Sequence, residues 1–224
     1  MRAATTPAPS GRFVPAAGRF MPTKLYDRSI ALTMREDRWR PLLVRQLSAA
    51  LPTDGRIVDV GAGTGTLALA VAAARPDVET LAFDGDPEAL RLARAKPGAS
   101  QVDWRPGLAG ELDLADDAAD AVVISLVLHH LAPAAKRRTL RDVRRVLRPG
   151  GQLHVADWGR PTTPLLRAGF LALQLTDGFE GTRDHAGGRL PNFLREAGFE
   201  DVRRYRRLRT VWGSFELLGA RNPA

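Results

Sequence analysis

The apolar positions of the chain change period several times, and each change marks a boundary between strand and helix. Ile57, Val58 and Val60 form a short β-branched run that breaks into alternating glycines and then into Leu67-Ala68-Leu69-Ala70-Val71-Ala72, the pattern of strand, tight loop and helix. Further buried-strand runs stand at Thr80–Asp84, Gln101–Arg105, Asp120–Val127 and Gln152–Asp157. Between the last two, residues 134–147 set Leu140, Val143 and Leu147 on one side and Arg137, Arg141, Arg144 and Arg148 on the other. That spacing predicts an amphipathic covering helix, stopped by Pro149-Gly150-Gly151. Strands alternating with helices predict an α/β domain with a mostly parallel sheet covered on both faces. Upstream, Tyr26, Ile30 and Met34, then Leu43, Leu47 and Leu51 after Pro41, recur at helical spacing and predict two N-terminal helices over 23–52. Residues 158–189 read as an irregular insertion. Leu190–Gly198 reads as a helix, and Val202–Trp212 and Ser214–Ala220 as a closing pair of strands joined near Gly213.

With 224 residues and 44% hydrophobic content, the chain can bury one sizeable core, expected over 53–224. It has no cysteine, which excludes disulfides, thiolate nucleophiles and Cys-ligated zinc and makes a reducing cytoplasm the expected setting. No apolar run approaches the roughly 18 residues of a membrane span. Residues 1–22 carry Pro7, Pro9, Pro15 and Pro22 and no acid, so a flexible tail is expected there. Its Arg2, Arg12 and Arg19 faintly suggest a targeting peptide, against which the prolines argue.

The 33 basic against 25 acidic residues give a formal charge of +8, a balance that attracts nucleic acid, anionic lipid or an acidic substrate. Its distribution is less specific. The stripe from Arg137 to Arg148 fits a solvated helix face, and Arg203, Arg204, Arg206, Arg207 and Arg209 fit an exposed edge strand guarded by charge. Only Tyr205 is interleaved with them, too little for a platform that stacks bases.

The chemistry gathers at predicted strand ends. Gly61, Gly63 and Gly65 follow a GxGxG spacing, and Thr66 stands where a dinucleotide fingerprint needs its third glycine, which disfavours a nicotinamide or flavin dinucleotide. Asp84 closes the second strand, where a parallel neighbour brings a carboxylate beside the glycine loop, able to accept hydrogen bonds from both hydroxyls of a ribose. Asp86-Pro87-Glu88 has the form of an N-cap, proline at the first helical position and an acid in the first turn. His129 and His130 follow the fourth strand, Asp157 ends the fifth, and His185 lies in the insertion.

The run Asp59-x-Gly61-x-Gly63-x-Gly65 resembles motif I of the class I S-adenosylmethionine-dependent methyltransferases. Leu128-His129-His130-Leu131, Arg145-Val146-Leu147-Arg148-Pro149-Gly150-Gly151 and Glu196-Ala197-Gly198-Phe199 follow in the family's order, so the resemblance spans roughly residues 23–220. It is nearest the small-molecule and quinone-type members, and it lacks the N-P-P-Y signature of many nucleobase enzymes. The implied fold is Rossmann-like: a seven-stranded, mostly parallel sheet with an antiparallel C-terminal hairpin and N-terminal lid helices. The implied cofactor is S-adenosylmethionine, leaving as S-adenosylhomocysteine. The implied partner is a small-molecule acceptor methylated on oxygen, nitrogen or carbon by in-line transfer, with no metal, nucleic acid or membrane span involved.

Carried over residue by residue, the resemblance implies that Asp59, Gly61, Ala62, Gly63, Thr64 and Gly65 admit the amino-acid and ribose portion of the cofactor. Asp84 would hold the ribose, with Gly85 and Asp86 beside it toward the adenine. Gly107, Leu108 and Ala109 would meet the adenine, although Leu108 stands where many relatives carry an acid. Ser125, Leu126 and His130 would form the floor beneath the methyl group. Tyr26 and Arg35 would reach the cofactor from the lid, the alternatives being a helix seam for Tyr26 and an ion pair for Arg35. For a hydroxyl acceptor, His130, Asp157 or His185 are the candidates to remove the proton; an amine or activated carbon needs no base. The competing readings are an RNA methyltransferase using the arginine-rich surface, a nucleotide-dependent oxidoreductase on the same kind of sheet, and a binding module without turnover.

Overall fold

Seven strands form one sheet in the order β3-β2-β1-β4-β5-β7-β6. The strands are β1 (Arg56–Val60), β2 (Glu79–Asp84), β3 (Val102–Pro106), β4 (Ala119–Ser125), β5 (Leu147–Gly159), β6 (Glu200–Thr210) and β7 (Gly213–Arg221). The computed structural model describes residues 34–224. The expected tail, the first N-terminal helix and Tyr26 lie outside the described residues. β1 to β5 run parallel, and β7 lies antiparallel between β5 and β6. Chain order reverses between β1 and β4, so a crevice opens beyond their carboxyl ends, the place where such sheets take ligands.

Successive side chains point to opposite faces, and here both faces are apolar, as buried parallel strands require. Val58, Val60, Leu81, Phe83, Val122, Ile124, Leu153 and Val155 pack one way, against Leu140, Val143 and Val146 of α4 (Pro133–Val146) and Phe193 and Leu194 of α7 (Leu190–Glu196). Ile57, Val123, Ala156, Trp158, Phe215 and Leu217 pack the other way. They meet α1 (Glu36–Ala50), α2 (Thr66–Ala74) and α5 (Pro164–Asp177) through Trp39, Leu43, Leu47, Leu67, Val71, Phe170 and Leu173. α3 (Pro87–Arg94) closes a smaller cluster with Ala68, Ala72, Val102 and Trp104.

Three expectations about the elements need revision. Pro41 lies inside α1 rather than before a new helix. The helix forgoes one hydrogen bond there, a cost met by burying Trp39, Leu43 and Leu47 on one face. Residues 158–189 are mostly helical: α5 is followed at once by α6 (Phe179–Ala186). The closing strands start earlier than their apolar residues suggest, at Glu200 and Gly213, and the arginine-rich one is indeed the sheet edge.

Because α1 shares its core with the sheet, its anchor carries fold stability. Trp39 is 1% exposed, with its ring 5.0 Å from that of Phe215. Trp39→Ala is expected to cost about 3 to 5 kcal/mol and to lower the melting temperature by about 10 °C or more. A calorimetric melt that stayed within 2 °C of wild type would mean, on about the same scale, that α1 is only loosely attached.

Candidate active site

The glycine loop is fixed to the neighbouring strand before any ligand is considered. The amides of Gly61 and Ala62 both donate to the Phe83 carbonyl, at 2.8 and 2.9 Å, and the Gly65 amide closes the turn on the Ala62 carbonyl at 2.9 Å. Gly61, Gly63 and Gly65 all have positive φ, at 75°, 55° and 77°. Their surroundings differ. A Cβ on Gly61 would meet Val127, and one on Gly65 would meet the Trp104 ring, whereas a Cβ on Gly63 would meet nothing within 4 Å. Two of the glycines are therefore required by the protein's own packing, and Gly63 is the one whose bare backbone faces open space. Thr64 is buried and accepts from Lys96 Nζ at 2.9 Å, which ties the loop to the end of α3.

Asp84 points at this loop. One carboxylate oxygen accepts from the Gly63 amide at 2.6 Å and the other from the Asp86 amide at 2.8 Å, and the Gly85 amide also faces the group. Burial raises its pKa, while these amides pull it back down. Asp86 caps α3 by accepting from the Glu88 amide at 2.9 Å, as its sequence context predicts.

Asp59 is in a different position. It is 2% exposed, and neither of its oxygens has a hydrogen-bond partner among the described residues. Burial, and then the neighbouring Asp84 charge, raise its pKa to about 7 against the opposing pull of Arg40 on α1. A buried carboxyl left without donors is costly unless it is neutral or meets a cation. Gly63, Asp84 and Asp59 thus suit a ligand with a sugar diol and a positively charged end.

The remaining cofactor-side candidates follow the strand ends. Asp84 pairs with Pro106 across β2 and β3, which brings Gly107 alongside, and the Gly107 amide donates to the Asp84 carbonyl at 3.0 Å. Leu108 and Ala109 are half-buried in the loop that follows. Ser125 ends β4, and Leu126 turns the chain with φ of 58°, an uncommon conformation for a leucine, its amide held by the Ala156 carbonyl at 2.9 Å. Arg35, just before α1, donates to the Arg209 carbonyl at 3.3 Å, near the end of β6. Among the described residues it makes no ion pair.

Beyond β4 and β5 the polar residues converge on one histidine. His129, in the short turn Leu128–His130, is 3% exposed and bonds Asp157 Oδ1 through Nδ1 at 2.7 Å. Its Nε2 faces Asp177 Oδ2, at the end of α5, at 3.6 Å. Burial opposes the imidazolium, but the Asp157 and Asp177 carboxylates outweigh it and raise its pKa to about 9. Asp157 is fully buried and also accepts from the Trp158 amide at 2.7 Å, and its pKa lies below the usual carboxylate range.

The other two histidines stay neutral. His130 lies against His129, ring centroids 3.9 Å apart, and burial followed by the His129 charge lowers its pKa to about 3. His185 on α6 is fully buried, its Nε2 lies 3.8 Å from Asp157 Oδ1, and burial lowers its pKa to about 4. α6 comes this close because Gly181 has no side chain: a Cβ there would strike the His129 carbonyl. Lys136 of α4, itself fully buried, anchors α6 through the Gly181 carbonyl at 2.5 Å and Asp184 at 3.3 Å.

Sequence reasoning favoured His130 over His129 in the adjacent pair and gave no role to Arg40. Two consecutive histidines carry no signal as to which one turns toward a carboxylate; the turn decides that.

A protein-family model described as a methyltransferase domain matches residues 57–151, from β1 to the start of β5. A ubiquinone/menaquinone biosynthesis C-methyltransferase from Syntrophotalea carbinolica is 37% identical over 131 residues, covering 58% of this chain and 54% of that protein. A malonyl-[acyl-carrier protein] O-methyltransferase from Methylococcus capsulatus is 32% identical over 181 residues, covering 76% of this chain and 64% of that protein. The chain thus spans between about half and two thirds of these relatives' length. Among solved structures, an SAM-dependent methyltransferase from Thermotoga maritima aligns with a TM-score of 0.67 at 20% identity, over 89% of this chain and 95% of that one. Another from Methanosarcina mazei aligns with a TM-score of 0.64 at 23% identity, over 79% and 96%. At such identities these structures bear on the fold alone.

The Asp59 carboxyl supplies a pH signature. Between its unfolded value near 4 and its folded value of about 7, the folded chain holds a proton that the unfolded chain has released, so stability falls as pH rises through that window. Asp59→Asn is expected to remove this slope and to be the more stable form at pH 8, by up to about 4 kcal/mol. Melts of both forms at pH 5 and pH 8 check it, and parallel pH dependences would contradict the buried, unpaired carboxyl.

Proposed function

We propose that the chain is a class I S-adenosylmethionine-dependent methyltransferase that moves the methyl group of S-adenosylmethionine onto a small-molecule acceptor. The observation that carries this reading is the Asp84 carboxylate held on the Gly63 amide at 2.6 Å, with the unpartnered Asp59 carboxyl buried beside it. When bound, the cofactor supplies an already activated sulfonium methyl. Asp84 would accept the ribose hydroxyls with its remaining lone pairs. Gly61 to Gly65, with Ala62 and Thr64 between them, would let the ligand approach bare backbone, and Asp59 would face its cationic amino-acid end. Gly107, Leu108 and Ala109 would flank the adenine. Ser125, Leu126 and His130 would lie beneath the reacting carbon.

Little covalent help is needed for in-line attack on such a methyl group. Holding the partners at near-attack distance can supply about 7 to 11 kcal/mol, which makes positioning the main contribution. Of the three candidates, His130 is the one we set against the acceptor, as a neutral imidazole that positions it; its lowered pKa suits it poorly to removing a proton. Asp157 has its oxygens engaged by His129 and Trp158, and His185 is fully enclosed, so both act by fixing the groups around them. The polar lining offered by His129, His130 and Asp177 suits an acceptor that presents an oxygen, as an O-methyltransferase substrate does.

Small-molecule transfer is favoured over an RNA substrate because much of the arginine surface is committed within the chain. Arg137 pairs with Glu196, Arg148 with Asp120, and Arg204 and Arg207 with Glu216. No helix among the described residues is long and apolar enough to cross a membrane.

Calorimetric titration with S-adenosylhomocysteine tests the proposal. Asp84→Ala is expected to weaken binding by about 3 kcal/mol, about 100-fold, through loss of hydrogen bonds to a charged group. Equal affinity for wild type and variant would refute the ribose role, and absence of binding to wild type would refute the function.

A further inference from the structure

His129, His130 and Asp177 each offer one donor atom, and the three atoms lie within 4.8 Å of one another. We infer that these side chains form a site for one divalent transition-metal ion of the zinc class, with a coordination position left for an oxygen of the acceptor.

Three independent features of the cluster support this. The first is orientation. Asp157 takes the Nδ1 proton of His129 at 2.7 Å, which directs Nε2 toward Asp177 Oδ2 at 3.6 Å. A carboxylate behind the far nitrogen is how metal-binding imidazoles are commonly held, because it fixes the tautomer and makes the ligating nitrogen more basic. Donors at about 2.0 to 2.1 Å from a tetrahedral ion stand about 3.4 Å apart, so the His129–Asp177 pair at 3.6 Å is already near ligand spacing, and the His130 donor, within 4.8 Å of both, closes in on the ion. The second is an unspent donor. His130 Nδ1 is buried with no hydrogen-bond partner among the described residues, and its ring sits against that of His129 because the two residues are consecutive in one tight turn. The third is charge. Asp157 and Asp177 place two carboxylates against one imidazole, and a dication in place of its proton balances both.

The donor set decides the class of ion. Two imidazoles and one carboxylate suit zinc, cobalt or nickel, whereas magnesium and calcium prefer all-oxygen sites. Three protein ligands with an open position are the arrangement of catalytic rather than structural zinc. An acceptor hydroxyl bound there would lose its proton to water more readily, because the ion stabilises the resulting oxyanion. Metal binding itself does not rest on the methyl-transfer reading, since it is measured without cofactor or acceptor.

The experiment uses the untagged full-length chain, stripped with chelator and titrated with Co²⁺ and separately with Zn²⁺. One ion per chain is expected, with visible cobalt absorption of a low-coordinate nitrogen–oxygen site that zinc abolishes. His130→Gln and Asp177→Asn should each weaken binding by at least tenfold while still melting cooperatively. His154→Gln, remote from the cluster between β5 and Tyr205, should leave it unchanged. Failure of the wild-type chain to take up either ion stoichiometrically would overturn the site regardless of how the variants fold. Equal affinity in wild type, His130→Gln and Asp177→Asn would overturn it as well.

Discussion

The hydrogen bond from the Gly63 amide to Asp84 joins the two elements on which the site depends. It requires β1 and β2 to be parallel and in register, with Val60 beside Phe83, so that the loop leaving one strand passes the acid ending the other. The Phe83 carbonyl holds the loop from below through Gly61 and Ala62, and Asp84 holds it from the side. A carboxylate so deeply buried is stabilised by the backbone amides around it. The loop geometry and the charge thus depend on one another, and neither would persist if the strands shifted by a residue. Asp59, one residue before the end of β1, adds a second acid that has no hydrogen-bond donor among the described residues.

The polar cluster beyond β4 and β5 is built by different means. There the fixed point is Asp157, which orients His129 and caps the strand end through the Trp158 amide. α5 and α6 are drawn over that pair because Gly181 permits backbone contact with His129 and because Lys136 reaches through the core to hold α6. A fully buried lysine is justified by this tie, since its Nζ has both a carbonyl and a carboxylate to meet. The end of the crevice at β1 and β2 is therefore made of backbone and two acids, and the end at β4 and β5 of side chains from the turn after β4, from β5 and from α5 and α6, the two helices lying beyond the family-model match.

Most of the first half was legible in the sequence, for a physical reason: glycine spacing, a strand-ending acid and an N-cap are local signals that report local geometry. The seven-stranded, mostly parallel sheet and its antiparallel closing pair followed from the resemblance and from alternating periodicity. What local signals could not separate was why each glycine is there, since Gly61 and Gly65 answer to Val127 and Trp104 and only Gly63 faces open space. Residues 158–189 looked irregular because Pro161 and Pro164 read as breakers and because Leu165, Leu171 and Leu175 blur the apolar face. In the structure Pro164 opens α5 behind a Thr163 cap, and those leucines are exposed. The meeting of His129 with Asp157 and Asp177 is a contact across three elements, and no spacing within the chain encodes it.

The central claim is that the loop after β1 and the acid ending β2 together receive an adenosyl ligand. Amide hydrogen exchange of the wild-type chain with and without S-adenosylhomocysteine addresses it directly. The account predicts that protection rises in the peptides containing residues 61–66 and 84–86 and is much smaller along β6 and β7. Unchanged exchange in those two segments at saturating ligand, or protection confined to the arginine-rich edge, would contradict it.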